Sequence, residues 1–360
     1  MDYLPNTAHV TLLATLRRER LLPLAGEVVV QARQRVESSD VVARAFVADR
    51  HYLVDVARKL GLSTDKADSA LLKKDGDEVK AGEAIASRKN ALGLGKRTAR
   101  SPVDGRLVVA AGGKALLAAI SKPFELRAGI PGQVVSVLQS QGVVIETTGA
   151  LLDGVWGNGR EDSAPLRLVG DGPMVALAPG MVTIEQRGAL LAVGVLADPA
   201  ALKQLVDGSG VRGLIVGSLA PGLLPDVLKA KFPVLVVEGF GERGFSAPAF
   251  VLLQSSAGRE AWLNAQPPDR FSGRLPELIV PLPSPSAAPA PPMDGETLAI
   301  GRRVRIVRGP EMGRVGNVTE LSERPLATAS GLRVRLASVA LDGHGGAPAR
   351  IPFQNLELLE

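Results

Sequence analysis

Residues 302–318 read RRVRIVRGPEMGRVGNV, and this stretch indicates a fold more directly than any other part of the 360-residue chain. Arginine alternates with valine and isoleucine in its first half, which predicts a strand with one face in a core and one in solvent. The apolar pattern resumes after the glycines, so a return strand follows. Gly309, Gly313 and Gly316 punctuate the reversal, where glycine takes positive φ without strain.

The residues beyond this stretch complete the pattern of a small β-barrel. Further strands are predicted over residues 332–341, and the run RIPFQNLELL at 350–359 would close the barrel. Residues 296–360 thus resemble the KOW module of NusG-type transcription factors and some ribosomal proteins, which implies an SH3-like barrel. In KOW families the loop between the first strands contacts RNA or protein. That resemblance points to Arg308, Gly309, Pro310, Glu311, Met312, Gly313 and Arg314, with positive charge added by Arg302, Arg303 and Arg305.

Two interpretations of these arginines stay open. They can bind an anionic partner, or they can simply keep the surface soluble. Glu311, Glu320 and Glu323 dilute the patch, and the loop holds no aromatic residue. The N-terminal domain that accompanies KOW in NusG is not apparent, so the resemblance to NusG does not extend over the whole chain.

Short strand patterns between glycines fill residues 66–165. The runs DGDEVKAGEAIA at 75–86 and SPVDGRLVV at 101–109 resemble the barrel-sandwich hybrid fold of biotinyl and lipoyl carriers. Their order is more similar to the versions in the largest subunits of RNA polymerase and in the C subunit of Rnf electron-transport complexes. The resemblance implies this fold for about ninety residues, including the strand patterns at 132–137 and 142–146.

A basic segment joins the two runs. Its lysines lack the flanking sequence of a biotinylated or lipoylated lysine, so we expect no cofactor. The segment is either an exposed, solvated loop or an arm that contacts phosphates, since lysine and arginine dominate nonspecific affinity for nucleic acids. The residues concerned are Arg88, Lys89, Lys96, Arg97 and Arg100.

Residues 166–277 alternate between apolar strands and helices. Strands are predicted at 190–196, 213–217 and 233–237, and helices from Asp198, over 221–230 and over 245–256. This order implies a small parallel α/β layer with right-handed crossovers. Two G-x-G-x-x-G runs, at 208–213 and 239–244, are interpreted as structural turns: the first precedes a strand, and the second lacks an acidic partner downstream.

The remaining segments are a linker and an N-terminal region. Residues 278–293 read LIVPLPSPSAAPAPPM, which predicts an extended linker over 278–295 that holds the last domain at a distance. Such a run can also be a ligand for a proline-binding domain. Residues 1–65 form a mixed segment, in which the pattern at 43–60 fits either helix or strand.

Composition excludes several classes of function. The chain has 3% aromatic residues, no cysteine and a net charge of +5. Disulfides and thiolate sites are therefore excluded, and stacking platforms for bases are disfavoured. His9, His51 and His344 form no pair with metal-ligand spacing. We expect no catalytic residue and no metal. No apolar run is long enough for a membrane span, so we expect a cytoplasmic protein without membrane insertion.

Together these patterns predict a multidomain, mostly β chain with a small α/β part. The expected function is non-enzymatic: the KOW barrel docks on RNA, the ribosome or RNA polymerase. The alternative is a protein-only scaffold that uses the KOW and barrel-sandwich surfaces for protein partners. A carrier or a nucleotide-dependent enzyme is the third interpretation, and the sequence indicates no oligomeric state.

Overall fold

The structure is a computed structural model that describes residues 3–48, 50–89, 95–119, 123–208, 210–269, 271–283, 289–293, 295–328, 330–343 and 345–359. Strands far outnumber helices and form several sheets, which confirms the predicted mostly β character. No helix in these ranges is long and apolar enough to cross a membrane.

The first fourteen strands lie in the N-terminal 153 residues. In chain order they are β1 (Thr7–Ala8), β2 (Val10–Leu21), β3 (Glu27–Val28), β4 (Arg35–Val36), β5 (Val41–Ala45), β6 (Arg50–Asp55), β7 (Glu78–Val79), β8 (Ala84–Lys89), β9 (Lys96–Arg100), β10 (Gly105–Ala111), β11 (Lys114–Ala119), β12 (Phe124–Arg127), β13 (Gly132–Leu138) and β14 (Gly142–Asp153). Helices α1 (Val56–Leu60) and α2 (Thr64–Asp68) follow β6. The undecided pattern at 43–60 therefore holds two strands and a helix.

Among the described residues, the second half contains the remaining α-helices and fourteen more strands. The helices are α3 (Pro199–Val206), α4 (Leu224–Val227) and α5 (Ala247–Ser255). The strands are β15 (Trp156–Gly157), β16 (Glu161–Leu168), β17 (Leu190–Leu196), β18 (Gly213–Leu219), β19 (Val234–Phe240), β20 (Glu260–Asn264), β21 (Glu277–Pro281), β22 (Arg303–Ile306), β23 (Val315–Leu321), β24 (Leu326–Ala327), β25 (Arg333–Val334), β26 (Leu336–Leu341), β27 (Ala349–Pro352) and β28 (Leu356–Leu359).

A large central sheet joins the predicted α/β layer to the N-terminal half. Its order is β15-β19-β18-β17-β16-β20-β21-β14-β13-β4, and β2 also pairs with β14. Strands β17, β18 and β19 are fully apolar at their centres and pair in parallel, as the sequence predicts. The Asp198 side chain accepts from Ala200 N at 2.7 Å and so starts α3. Helices α3 and α4 pack on one face of this layer and α5 on the other.

Residues 50–119 form an inserted module. Strands β5 and β12 pair with each other, so the chain between them leaves and returns to the same small sheet. Within this inserted module, β6-β11-β10-β7 form one sheet and β8 and β9 form a separate hairpin. Both pack around a core of their own that includes Leu60, Ile85, Leu107 and Leu117, each 0% exposed. The predicted boundary between residues 65 and 66 lies inside this inserted module. The division of the chain into five segments stays a prediction.

The C-terminal sheet has the order β1-β28-β22-β23-β26-β27. The predicted strand, turn and return strand are confirmed, since β22 and β23 pair antiparallel. Gly309 and Gly313 adopt positive φ, but Gly316 does not, so the prediction of a third turn glycine is wrong. A Cβ on Gly316 would lie 2.2 Å from Ala340 O, and close strand approach is the reason for this glycine. The edge strand β1 comes from the other end of the chain.

The predicted linker begins inside the central sheet, which corrects its boundary. Leu278, Ile279 and Val280 belong to β21 and are 0% exposed. Their continuous apolar character is that of a buried strand, whereas the prolines that predicted a linker come later. Beyond residues 284–288, which lie outside the described ranges, Pro289 O accepts from Thr15 Oγ1 at 2.7 Å.

Candidate functional site

The central arginine of β22 is internal. Arg305 is 2% exposed. Its Nη1 donates to Glu238 Oε2 at 2.8 Å, and its Nη2 donates to Glu357 Oε2 at 2.6 Å. Glu357 lies opposite Arg305 on β28, whereas Glu238 belongs to β19 of the central sheet. This buried cluster, the Arg305 latch (Arg305, Glu238 and Glu357), docks the C-terminal sheet on the central sheet.

The prediction that Arg305 faces solvent is wrong. Strand alternation places Arg303 and Arg305 on one face, but the central sheet covers that face at Arg305. Burial lowers the pKa of Arg305, yet attraction to Glu357 and Glu238 outweighs burial and leaves the pKa above its ordinary value. The contact between Arg305 and Glu238 also corrects the expectation that a linker holds the C-terminal domain at a distance.

The other predicted arginines of the C-terminal sheet are mostly neutralised. Arg303 pairs with Asp342, Arg302 Nη2 lies 2.7 Å from Glu296 Oε1, and Arg314 Nη1 lies 2.8 Å from Glu311 Oε2. Arg308 is exposed and has no carboxylate partner among the described residues. Of the predicted binding arginines, Arg308, just beyond β22, is therefore the one without a carboxylate partner among the described residues.

The predicted contact loop lies beside the central sheet. Gly313 N donates to Ile306 O at 2.7 Å, and Met312 N donates to Gly309 O at 3.1 Å, which fixes the turn. A Cβ on Gly313 would come within 3.2 Å of the Arg243 Nη1, so this part of the loop faces the segment after β19. Gly309 and Pro310 remain exposed, and Met312 is half-buried.

The second predicted cluster lies on two paired strands, β8 and β9, which we call the basic hairpin. Arg88 lies opposite Arg97, and Lys89 lies opposite Lys96. Arg100 lies opposite Ala84, and residues 90–94 lie outside the described ranges. All these cations are exposed except Arg88, which is half-buried.

The basic hairpin places like charges in register. Cross-strand neighbours of the same sign repel, and in antiparallel sheets they lower stability relative to neutral pairs. None of the five cations forms an ion pair with any carboxylate in the part of the chain that the structure describes. The register thus sets like charges opposite each other without a carboxylate partner among the described residues.

Helix α1 extends the positive surface. Arg88 Nη1 donates to Gly61 O at 2.9 Å, and a Cβ on Gly61 would lie 2.9 Å from Arg97 Nη1. Both guanidinium groups therefore converge on the residue that ends α1. Arg58 and Lys59, in the last turn of α1, are exposed. They were not predicted as site residues, because they neighbour the basic hairpin only in space.

Positive charge is concentrated in the inserted module. Residues 50–119 hold fourteen lysines and arginines against eight aspartates and glutamates, a formal net charge of +6. The whole chain carries +5, so the other residues together carry −1. This uneven distribution of charge can be found by counting charges along the sequence alone. The net positive charge of the protein thus comes from the inserted module.

The second glycine-rich run, at residues 239–244, begins at the end of β19 and has a structural role. Ser218 Oγ donates to Gly241 O at 3.0 Å and accepts from Arg243 N at 2.7 Å. A Cβ on Gly244 would lie 1.9 Å from Pro173 O, so close backbone approach requires glycine there. The first glycine-rich run joins α3 to β18, and its Ser209 lies outside the described residues.

The histidines lie far apart in the sequence and in different settings. His9 is 7% exposed, and its Nδ1 lies 2.8 Å from Asp153 Oδ2, an arrangement that ties the start of β2 to β14. His51 is exposed on β6, and His344 lies outside the described residues. Among the described residues, no group of three or more His, Asp or Glu side chains is placed to hold a metal ion.

The fold and site together define a mostly β, multi-sheet protein with a basic inserted module. No protein-family model matches the chain, and no curated protein matches it.

Proposed function

We propose that the protein is a non-enzymatic RNA-binding protein and that the basic hairpin makes the contact with RNA. The single observation that carries this proposal is the register of Arg88 with Arg97 and Lys89 with Lys96, unrelieved by carboxylates among the described residues. Phosphate contacts from lysine and arginine supply most nonspecific affinity for nucleic acids. The +6 charge of residues 50–119 supports the same site.

The proposal includes the finer fold assignments. We assign the strands around residues 75–109 to a barrel-sandwich hybrid and the C-terminal sheet to an SH3-like KOW barrel. The paired strands β22 and β23 and their glycine turn support the second assignment. The KOW resemblance supports RNA as the nucleic acid, free or within the ribosome or a transcribing RNA polymerase. The cysteine-free composition favours a cytoplasmic location.

The role of the C-terminal sheet changes in this proposal. Its arginines are mostly paired, so the sheet is a docked structural unit with an exposed loop edge at Arg308, Gly309 and Pro310. This neutralised surface favours a second candidate function, a scaffold that binds a protein partner through the same loop. In a scaffold, nuclease treatment would leave the partner bound and raised salt would not release it.

Fluorescence anisotropy with a labelled RNA tests the two functions. We expect salt-dependent binding by the wild-type chain and a loss of at least about tenfold in affinity for the Lys89→Ala/Lys96→Ala/Arg97→Ala variant. The matched triple variant, Arg302→Ala/Arg303→Ala/Arg308→Ala, should change affinity by less than about threefold. Absence of binding at low salt, or a larger loss in the second variant, would contradict the assignment.

A further inference from the structure

A cleft lies where the inserted module meets the N-terminal sheet of β12, β5 and β3. It has a volume of about 430 Å³, within the range of about 300–1,000 Å³ that small-molecule sites occupy. Arg106 of β10 forms one wall, and residues of the N-terminal sheet and its flanking segments form the other. Junctions between structural units are preferred places for such sites. The cleft therefore has the size and the position of a ligand site.

The wall that faces Arg106 is mainly apolar. Leu24 and Phe46 are 44% and 51% exposed, and Ala25 and Pro123 line the cleft beside them. A ligand with an apolar body would remove these side chains from water, which is favourable in proportion to the apolar area that it covers. The wall thus favours an aromatic or aliphatic ligand body.

Arg106 supplies a cation with unused hydrogen-bond donors. Its Cζ lies 5.6 Å from the centroid of the Phe46 ring, and its guanidinium donates no hydrogen bond to any residue that the structure describes. The carboxylate paired with it, Glu78, is 79% exposed, and Oε1 lies 3.8 Å from Nη2, beyond hydrogen-bond distance. Nε is buried, so a ligand in the cleft would contact the Nη atoms.

The other charged side chains of the cleft compensate one another. Arg44 lies opposite Glu27 in the pairing of β3 with β5, and its Nε lies 3.5 Å from Glu125 Oε1. Because acids flank Arg44 on both neighbouring strands, Arg106 is the lining cation that can pair with a ligand. The net charge of +6 on the inserted module attracts an anion to the wall that carries Arg106.

We propose that this cleft binds a small carboxylic acid with an aromatic or aliphatic body. The body packs against Leu24 and Phe46, and the carboxylate accepts hydrogen bonds from the Arg106 Nη atoms. Charge-assisted hydrogen bonds of this kind are about twice as strong as neutral ones. The inference goes beyond RNA binding and uses no residue of the basic hairpin, so either proposal can fail without the other.

Displacement of a fluorescent probe tests the class of ligand. Anilinonaphthalene sulfonate combines an aromatic body with one anionic group, and it binds exposed apolar surface. The full-length chain should bind this probe, and octanoate should displace it. Octylammonium has the same chain and the opposite charge, so it should displace the probe at least about tenfold less well. Equal displacement by the two compounds, or no binding of the probe, would overturn the proposal.

Substitutions at Arg106 locate the site. Arg106→Met keeps an unbranched apolar side chain beside Phe46 but removes the cation, so it should weaken octanoate binding about tenfold without a large change in the melting midpoint. Arg106→Lys keeps the charge and should retain most of the affinity. The control is Arg167→Met, which removes an exposed arginine of β16 outside the cleft and should leave octanoate binding unchanged. Wild-type affinity in a folded Arg106→Met variant, or equal losses in Arg106→Met and Arg167→Met, would contradict the assignment.

Discussion

Arg305 Nη1, on β22 of the C-terminal sheet, lies 2.8 Å from Glu238 Oε2, on β19 of the central sheet. The side chains of both residues are 3% exposed. This contact converts a surface that the sequence offers as a binding face into an internal interface. Glu238 Oε1 also accepts from Ser246 N at 2.8 Å, so the acceptor is held from the central-sheet side. The positions of the two sheets are thereby fixed relative to each other.

Removal of the latch arginine should be strongly destabilising. Arg305→Met would leave Glu238 and Glu357 buried without a cation, and breaking a buried ion pair in this way costs about 3–5 kcal/mol. Chemical denaturation followed by circular dichroism measures the loss. A matched control on the same strand is Arg303→Ala, whose half-exposed pair with Asp342 should contribute less than about 1 kcal/mol. Equal losses for the two variants would show that Arg305 is not buried in an ionic cluster.

The glycine of the PVDG run should be intolerant of any side chain. A Cβ on Gly105 would lie 1.9 Å from Ala118 O of the paired strand β11, so Gly105→Ala must separate β10 from β11. We expect a loss of at least about 1–3 kcal/mol, the usual cost of overpacking. Gly222→Ala is the control, since no atom lies within 4 Å of its added Cβ. A thermal melt that places both variants at the wild-type midpoint would refute the close pairing of β10 and β11.

The like-charge register predicts a conflict between stability and RNA binding. Lys96→Glu places an acidic group opposite Lys89, and opposite-charge cross-strand pairs stabilise a sheet by about 0.2–1 kcal/mol. The variant should therefore unfold at a higher temperature while its affinity for RNA falls. Lys231→Glu controls for the change in net charge, and a Lys96→Glu variant that loses stability would contradict the repulsion inferred for the hairpin.

A buried carboxyl group should make the stability of the protein depend on pH. Glu277 is 5% exposed; burial raises its pKa above the ordinary value of 4.5, although Arg18 opposes the rise. A raised folded pKa means that the folded state holds the proton more firmly than the unfolded state. The favourable contribution is full below about pH 4.5 and is lost as pH rises through the folded pKa. Glu277→Gln should flatten this fall in unfolding free energy, and identical pH profiles for wild type and variant would contradict it.

The sequence predicts the features that depend on neighbouring residues. It does not predict those that depend on contacts between residues far apart in the chain. The apolar run Leu190–Leu196 and the cap at Asp198 predict β17 and α3, because both depend on neighbouring residues only. Alternation in β22 predicts two faces, but burial of Arg305 depends on Glu238, 67 residues away. Likewise Arg58 joins the basic hairpin only after the inserted module folds. The hairpin register, and with it the like-charge pairs, could not be fixed from the segment at residues 87–100 alone.

Ultraviolet crosslinking of the full-length chain to RNA, followed by mass spectrometry of the crosslinked peptides, tests the central claim most directly. The account predicts crosslinks in peptides of the basic hairpin and of helix α1, with few in the loop at residues 308–314. Crosslinks confined to residues 302–314, or none at salt concentrations where anisotropy reports binding, would contradict the claim that the inserted module carries the RNA contact.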